Sequence, residues 1–280
     1  MYKINNTHWF NFSVFYGREQ WDKLLNECRL FYSQNTDVLE HCLLFLSEER
    51  GEHIQILFST KETEEKTAAN FQKRIEKTFQ EFVTQHPSSQ SKPFPYGQMI
   101  WRYYDNNSIV WDRYDIKDFG AFFVDFAQKT SFLLAPLLQN DMSMDNVFSV
   151  CLYLCTKLTR FLKKSEIRQV VTACSEKMIK ESDNFESYHL VSSLTPISPE
   201  KRDSIIRVIE KYYQDDSENS NEFFDWNSEA HRLFSLGDGV QDVFVCQTLS
   251  SIVCEHFGLS ASHQLLIYQF IKEWASAQTQ

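Results

Sequence analysis

Glycine and proline are scarce in this chain, 7 and 6 of 280 residues, which leaves little room for long glycine-rich loops. No glycine-rich phosphate loop is present. Basic residues are outnumbered, 28 Lys and Arg against 38 Asp and Glu, giving a net charge of −10 and a pI near 5.3. Phosphate binding needs clustered cations, so a nucleic-acid partner is not expected. The four basic residues in 157–164 fall at helical spacing and read as a solvated face. No apolar run reaches the roughly 18 residues that a membrane span needs, so no membrane association is expected. The first seven residues lack the apolar centre of a signal peptide. The seven cysteines are odd in number, and their spacings fit no zinc pattern. Free thiols fit a reducing compartment, so the expected location is cytoplasmic. No metal or organic cofactor is implied by any ligand cluster.

What the chain does have is hydrophobic content of 42% with 24% charge, ordinary for a globular protein, and enough length to bury a substantial core. Aromatics are abundant, and phenylalanine alone supplies 24 residues. Residues 42–58 organise the first half. Leu43 to Leu46 is a continuous apolar run, the pattern of a strand covered on both faces. Residues 47–52 are polar and contain Gly51, and Ile54 to Phe58 is apolar again, which together predict an antiparallel hairpin.

Before the hairpin, residues 9–15 alternate: Trp9, Asn11 and Ser13 on one parity, Phe10, Phe12 and Val14 on the other. This predicts a half-buried strand. Trp21, Leu24, Leu25, Cys28 and Phe31 predict a helix. After the hairpin, Ala68, Phe71, Ile75, Phe79 and Phe82 mark one face of a helix over 62–85, ended by His86 and Pro87. Residues 87–95 read as a loop. Residues 96–104 and 108–114 are strand candidates around the turn residues Asp105, Asn106 and Asn107.

From 118 onward the pattern is helical: 118–138, 144–163, 164–180, 199–213, a short helix over 229–236, 240–257 and 260–274. Pro199 sits in a first turn, residues 215–221 read as an acidic loop, and Gly258 reads as a C-cap. Cys151 and Cys155, four apart on one helix face, read as small core residues. The expectation is one α+β domain over 1–280: an antiparallel, sheet-rich part (1–117) packed with a mainly helical part (118–280).

His53-Ile54-Gln55-Ile56-Leu57-Phe58, following an aromatic-rich strand and a polar turn, resembles the C-terminal elimination domain of class I lantibiotic dehydratases and its free-standing thiopeptide relatives. That family has His-Leu-Arg-Leu-Arg-Phe here, so both arginines are replaced, by Gln55 and Leu57. A family Arg-Tyr-Gly-Gly and the helix after it can be laid on Arg113, Tyr114 and Ser131, with Asp115 and Ile116 in place of the glycines. Counting back from Gly258, the family's C-terminal histidine falls on Ser250, and its Asn-Arg pair on Cys254 and Glu255.

In the glutamate-eliminating branch, the histidine and strand arginines serve proton transfer and the departing carboxylate, roles that suit those side chains. Their replacement by neutral groups resembles the pyridine synthase branch. The resemblance implies thiopeptide antibiotic biosynthesis by a formal (4+2) aza-cycloaddition between two dehydroalanines. The substrate would be a dehydrated, azole-containing precursor peptide carrying its leader. Loss of water and of the leader peptide then gives the pyridine core and macrocycle. Proximity supplies much of the barrier reduction, and hydroxyl donors favour the iminol tautomer.

On this reading Ser250 and Ser251 are the first candidates for donors to the reacting amide, with small helix-packing residues as the bland alternative. Tyr114, Tyr104, Tyr268 and His53 are further catalytic candidates, although most of twelve tyrosines must be structural. His53 could equally be a solvated turn residue. Arg113 and Gln55 are candidate substrate contacts. Two other functions stay open: the glutamate-elimination subunit of a split dehydratase, and a non-catalytic leader-peptide-binding partner.

Overall fold

The computed structural model describes residues 2–4, 7–61, 64–89, 103–112, 120–139, 141–181, 198–215, 220–236 and 242–278. The chain divides into two compact units. The first is Met1–Ser143 with His256–Gly258, and the second is Met144–Glu255 with Leu259–Gln280. The class is α+β, as expected: an antiparallel sheet in the N-terminal part, and helices that lie mostly in the C-terminal part.

The first unit is built on strands β1 (Tyr2–Ile4), β2 (Thr7–Phe15), β3 (Leu39–Ser47), β4 (His53–Thr60) and β5 (Ser108–Trp111). β3 and β4 form the expected hairpin, with Leu44 opposite Ile56 and Phe45 opposite Gln55. Its turn places Arg50 at φ 58° and Gly51 at φ 126°, and glycine accepts the second value without strain. β4 pairs on its other side with β2. β1 and β5 share the far edge of β2, at its two ends. Helices α1 (Trp21–Ser33) and α2 (Glu65–Gln85) cover one face. Phe31, Phe71 and Phe79 from these helices meet Phe10, Phe12 and Phe58 from the sheet, with ring centroids 5.1 to 6.4 Å apart. Each such ring, fully buried, contributes on the order of 2 kcal/mol by leaving water.

Helix α3 (Gly120–Leu138) packs beside β3, the edge strand. An exposed strand edge invites pairing with another chain, and here side chains seal it. The Cys42 amide donates to Gln128 Oε1 at 3.1 Å and the Leu44 amide to Ser131 Oγ at 3.0 Å. His256 Nδ1 donates to the Leu44 carbonyl at 2.6 Å, and its ring lies flat on Phe45 at 4.2 Å.

The second unit contains α4 (Met144–Leu158), α5 (Ile167–Glu181), α6 (Pro199–Gln214), α7 (Asn221–Ser235), α8 (Asp242–His256) and α9 (Ala261–Ala277). α9 packs against α4, α5 and α6. Ser198 caps α6, with Pro199 in its first turn. α8 ends at Gly258, φ 72°, and the Leu259 amide closes onto the Cys254 carbonyl at 2.8 Å. Among the described residues no helix is long and apolar enough to cross a membrane.

Several expectations are corrected. β2 is buried on both faces: Asn11 and Ser13 are each 1% exposed, so its polar parity is not a solvent face. β5 joins the sheet through β2. Tyr103 and Tyr104 are not in a strand, and 96–102 lie outside the described residues. The short helix at 229–236 starts at Asn221, because Ser220 caps it and Phe223, Trp226, Ala230 and Leu233 supply its buried face. The acidic loop is correspondingly shorter. Lys157 is not on a solvated face: it is 3% exposed, paired with Asp215, with its ammonium over Tyr153 and Phe223. Cys151 and Cys155 are core residues, as read.

Candidate functional site

The sequence-derived candidates fall into two groups, one in each unit. In the first unit His53 and Gln55 alternate along β4 with Ile54 and Ile56, so they point away from α1 and α2. Gln55 is hydrogen-bonded through Nε2 to Asn11 Oδ1 at 2.9 Å. Leu57, at the other position where the resembled family has arginine, is fully buried. His53 is no solvated turn residue. It is 1% exposed, and its Nδ1 donates to the Gly51 carbonyl at 2.9 Å. Burial lowers its pKa to about 4, against a smaller raising effect of that hydrogen bond, so the imidazole is neutral at pH 7. Its ring lies 4.6 Å from Phe15, whose ring lies 4.7 Å from half-buried Tyr104. Phe15 thus touches both. Arg113 and Tyr114 lie outside the described residues.

A constellation that the sequence did not suggest lies on the same sheet face. Ser59 Oγ is 2.9 Å from His41 Nδ1, and His41 Nε2 is 3.5 Å from Asp125 Oδ1. The Trp9 ring runs parallel to His41, at 8° and 6.1 Å. Ser59 is fully buried and also accepts the His41 amide, so its hydroxyl is not presented to a reactant. The three residues are too far apart in sequence to leave a local signal.

In the second unit the fold brings Ser250, Ser251 and Tyr268 together, from α8 and α9. Ser250 is 1% exposed, and its hydroxyl donates to the Cys246 carbonyl one turn back, at 2.7 Å. Tyr268 is buried as well, and its hydroxyl is hydrogen-bonded to Gln264 Nε2 at 3.0 Å. Desolvation, then the neighbouring thiol of Cys246, pushes the Tyr268 phenol well above its ordinary pKa, so it stays a neutral donor. Ser251 is half-buried.

The residue missed at the sequence level is Gln264. Its Nε2 lies 3.0 Å from Ser251 Oγ and 3.0 Å from the Tyr268 hydroxyl. The available signal was its position four residues before Tyr268 on one helix face.

Around this group the thiols of Cys151, Cys155, Cys174, Cys246 and Cys254 interact with one another or with Tyr268 and Ser250. All seven cysteines are free and buried. Burial raises the Cys151 thiol, and contact with Cys254, then burial, raises Cys155. They are therefore held as neutral thiols rather than nucleophilic thiolates. Among the described residues no three His, Cys, Asp or Glu side chains form a metal-holding group. The hydrogen-bonded group Ser251–Gln264–Tyr268, with Ser250 turned onto its own helix, carries no formal charge. It can donate hydrogen bonds to an amide or iminol, and it offers no carboxylate clamp.

No family model matches the sequence, and no curated protein matches it. Solved structures do. The pyridine synthase TbtD from thiomuracin biosynthesis superposes with a TM-score of 0.65 over 96% of this chain and 98% of its own, at 13% identity. TsrL superposes with a TM-score of 0.53 over 98% of this chain and 95% of its own, at 10% identity. Over nearly its whole length, the chain has a thiopeptide pyridine synthase-like fold.

Proposed function

We propose that this protein acts in thiopeptide biosynthesis as a pyridine-forming macrocyclase on a ribosomal peptide. The observation that carries the reading is the near-complete fold match to a pyridine synthase. It is supported by the neutral character of the hydrogen-bonded group at Ser250 and Ser251. The substrate is a dehydrated, azole-containing precursor peptide with its leader. One dehydroalanine and its neighbouring amide, in the iminol form, act as a 2-azadiene. The second dehydroalanine is the dienophile, and two new carbon–carbon bonds, one from each end of the diene, close a six-membered ring. Loss of water and of the leader peptide then leaves the pyridine. Holding two alkenes in contact removes much of the entropic barrier. Hydroxyl donors stabilise the iminol and assist departure of the leader amide.

Within the group Ser251 is the donor that meets the peptide, since it alone of the three hydroxyls is half-buried rather than buried. Ser250 and Tyr268 hold its surroundings. The free thiols fit a cytoplasmic enzyme.

The test is incubation of the purified protein with a leader-bearing peptide that contains two dehydroalanines and thiazoles, followed by mass spectrometry. Release of the leader amide together with a macrocycle supports the reading. Loss of glutamate from a glutamylated peptide would favour an elimination subunit instead. Leader binding with no mass change would favour a non-catalytic partner.

A further inference from the structure

We propose that Gln264 is a positioning residue that fixes the direction of the hydrogen bonds at the serine pair, so that the Ser251 hydroxyl is left to donate to the substrate. This deepens the cyclase reading and rests on it.

Donor and acceptor counting carries the inference. A primary amide has two N–H donors on one nitrogen. Here the nitrogen lies 3.0 Å from each of two hydroxyl oxygens, Ser251 Oγ and the Tyr268 hydroxyl, so both hydrogens are used. Each hydroxyl therefore accepts from Gln264, and its own proton must go elsewhere. The Ser250 hydroxyl turns its own proton onto the Cys246 carbonyl at 2.7 Å. For Ser251 the accepted bond from Gln264 is its hydrogen bond among the described residues. Helical serines commonly turn their proton back onto the carbonyl four residues earlier, as Ser250 does. Ser251 does not, and it is half-buried where Ser250 is 1% exposed. Its proton is thus pointed by default toward whatever occupies the space beside it.

The chemistry asks for this polarity. An amide carbonyl drawn toward its iminol, and later a departing amide, both need a donor, and an oxygen that has already accepted one hydrogen bond donates the next more strongly. Gln264 itself is 4% exposed and touches neither the reacting atoms nor the peptide in this scheme. It acts through Ser251.

Two measurements test this. In protein labelled with 15N-glutamine, the Gln264 side-chain amide, assigned by its absence in Gln264→Glu, is expected to exchange with solvent more slowly than the exposed glutamines. Exchange at the exposed rate would mean that the amide hydrogens are not held by the two hydroxyls, and would overturn the proposal.

With the leader-bearing dehydroalanine peptide, Gln264→Met is expected to lower kcat about a hundredfold with KM unchanged, the usual loss for one oriented donor. Gln264→Glu should be equally slow at neutral pH, because a carboxylate recruits both hydroxyl protons. It should recover as pH falls and the carboxyl becomes a donor, an effect absent from wild type and from Gln264→Met. An unchanged kcat in a folded Gln264→Met variant would overturn the proposal. A wild-type protein that leaves the peptide intact removes the cyclase reading, and the exchange rate then tests by itself whether the amide hydrogens are held.

Discussion

The imidazole of His256 donates from Nδ1 to the carbonyl oxygen of Leu44 at 2.6 Å, 212 residues away in sequence, and stacks on the neighbouring Phe45. The Leu44 carbonyl can only accept, so Nδ1 carries the proton. The Ser131 hydroxyl, 3.2 Å from the same nitrogen, donates to the Ala127 carbonyl and accepts from Leu44. Replacing the ring strands a buried carbonyl and removes an aromatic contact. His256→Ala is expected to cost about 2–3 kcal/mol, read as a lower urea midpoint with unchanged slope.

Ser251→Ala is expected to lower turnover of the dehydroalanine peptide by about a hundredfold or more, with leader binding retained in a titration. Ser250→Ala should lower it less, through the loosened surroundings of Tyr268. An unchanged rate in Ser251→Ala would remove that hydroxyl from the site.

His53 gives a pH dependence with a definite sign. Its folded pKa, about 4, lies below the ordinary 6.5, so the unfolded chain takes up the proton first. Above pH 6.5 both states are neutral, and His53 contributes no slope. As pH falls from 6.5 to about 4, folding weakens by up to about 3 kcal/mol, and below that the effect is constant. Denaturant unfolding across this range should show the decline, and His53→Phe or His53→Gln should flatten it.

Gly258→Ala places a Cβ 2.5 Å from the Leu46 carbonyl oxygen at a φ of 72°, so the substitution meets both a clash and a left-handed backbone. A loss on the order of 2 kcal/mol is expected in thermal or urea unfolding.

The buried thiols give a simple check. A thiol reagent at neutral pH should titrate almost none of the seven cysteines in the native protein, and all of them after denaturation. A single fast thiol would place a reactive cysteine where the structure has a neutral core.

Much of the frame was legible locally. The β3–β4 hairpin, α1 and α2 follow from apolar runs and spacing within windows of some twenty residues, and Gly258 was readable as a cap. Burial that depends on distant partners was not. Asn11 and Ser13 look like a solvent face but are each 1% exposed, and Lys157 looks like one of four surface cations until Asp215 and two rings enclose it. The helix at Asn221 hid behind an acidic approach that supplies its Ser220 cap. At the candidate site the adjacency of Ser250 and Ser251 was plain, while Gln264 enters only when the turn after α8 folds α9 back beside them.

The margin of β3 is closed by side chains from α3 and by the ring of His256. Any extended peptide that this protein recruits will therefore find no vacant rung between Cys42 and Leu44. Guest chains must be held by their side groups, or elsewhere on the molecule, rather than by lengthening the ladder there.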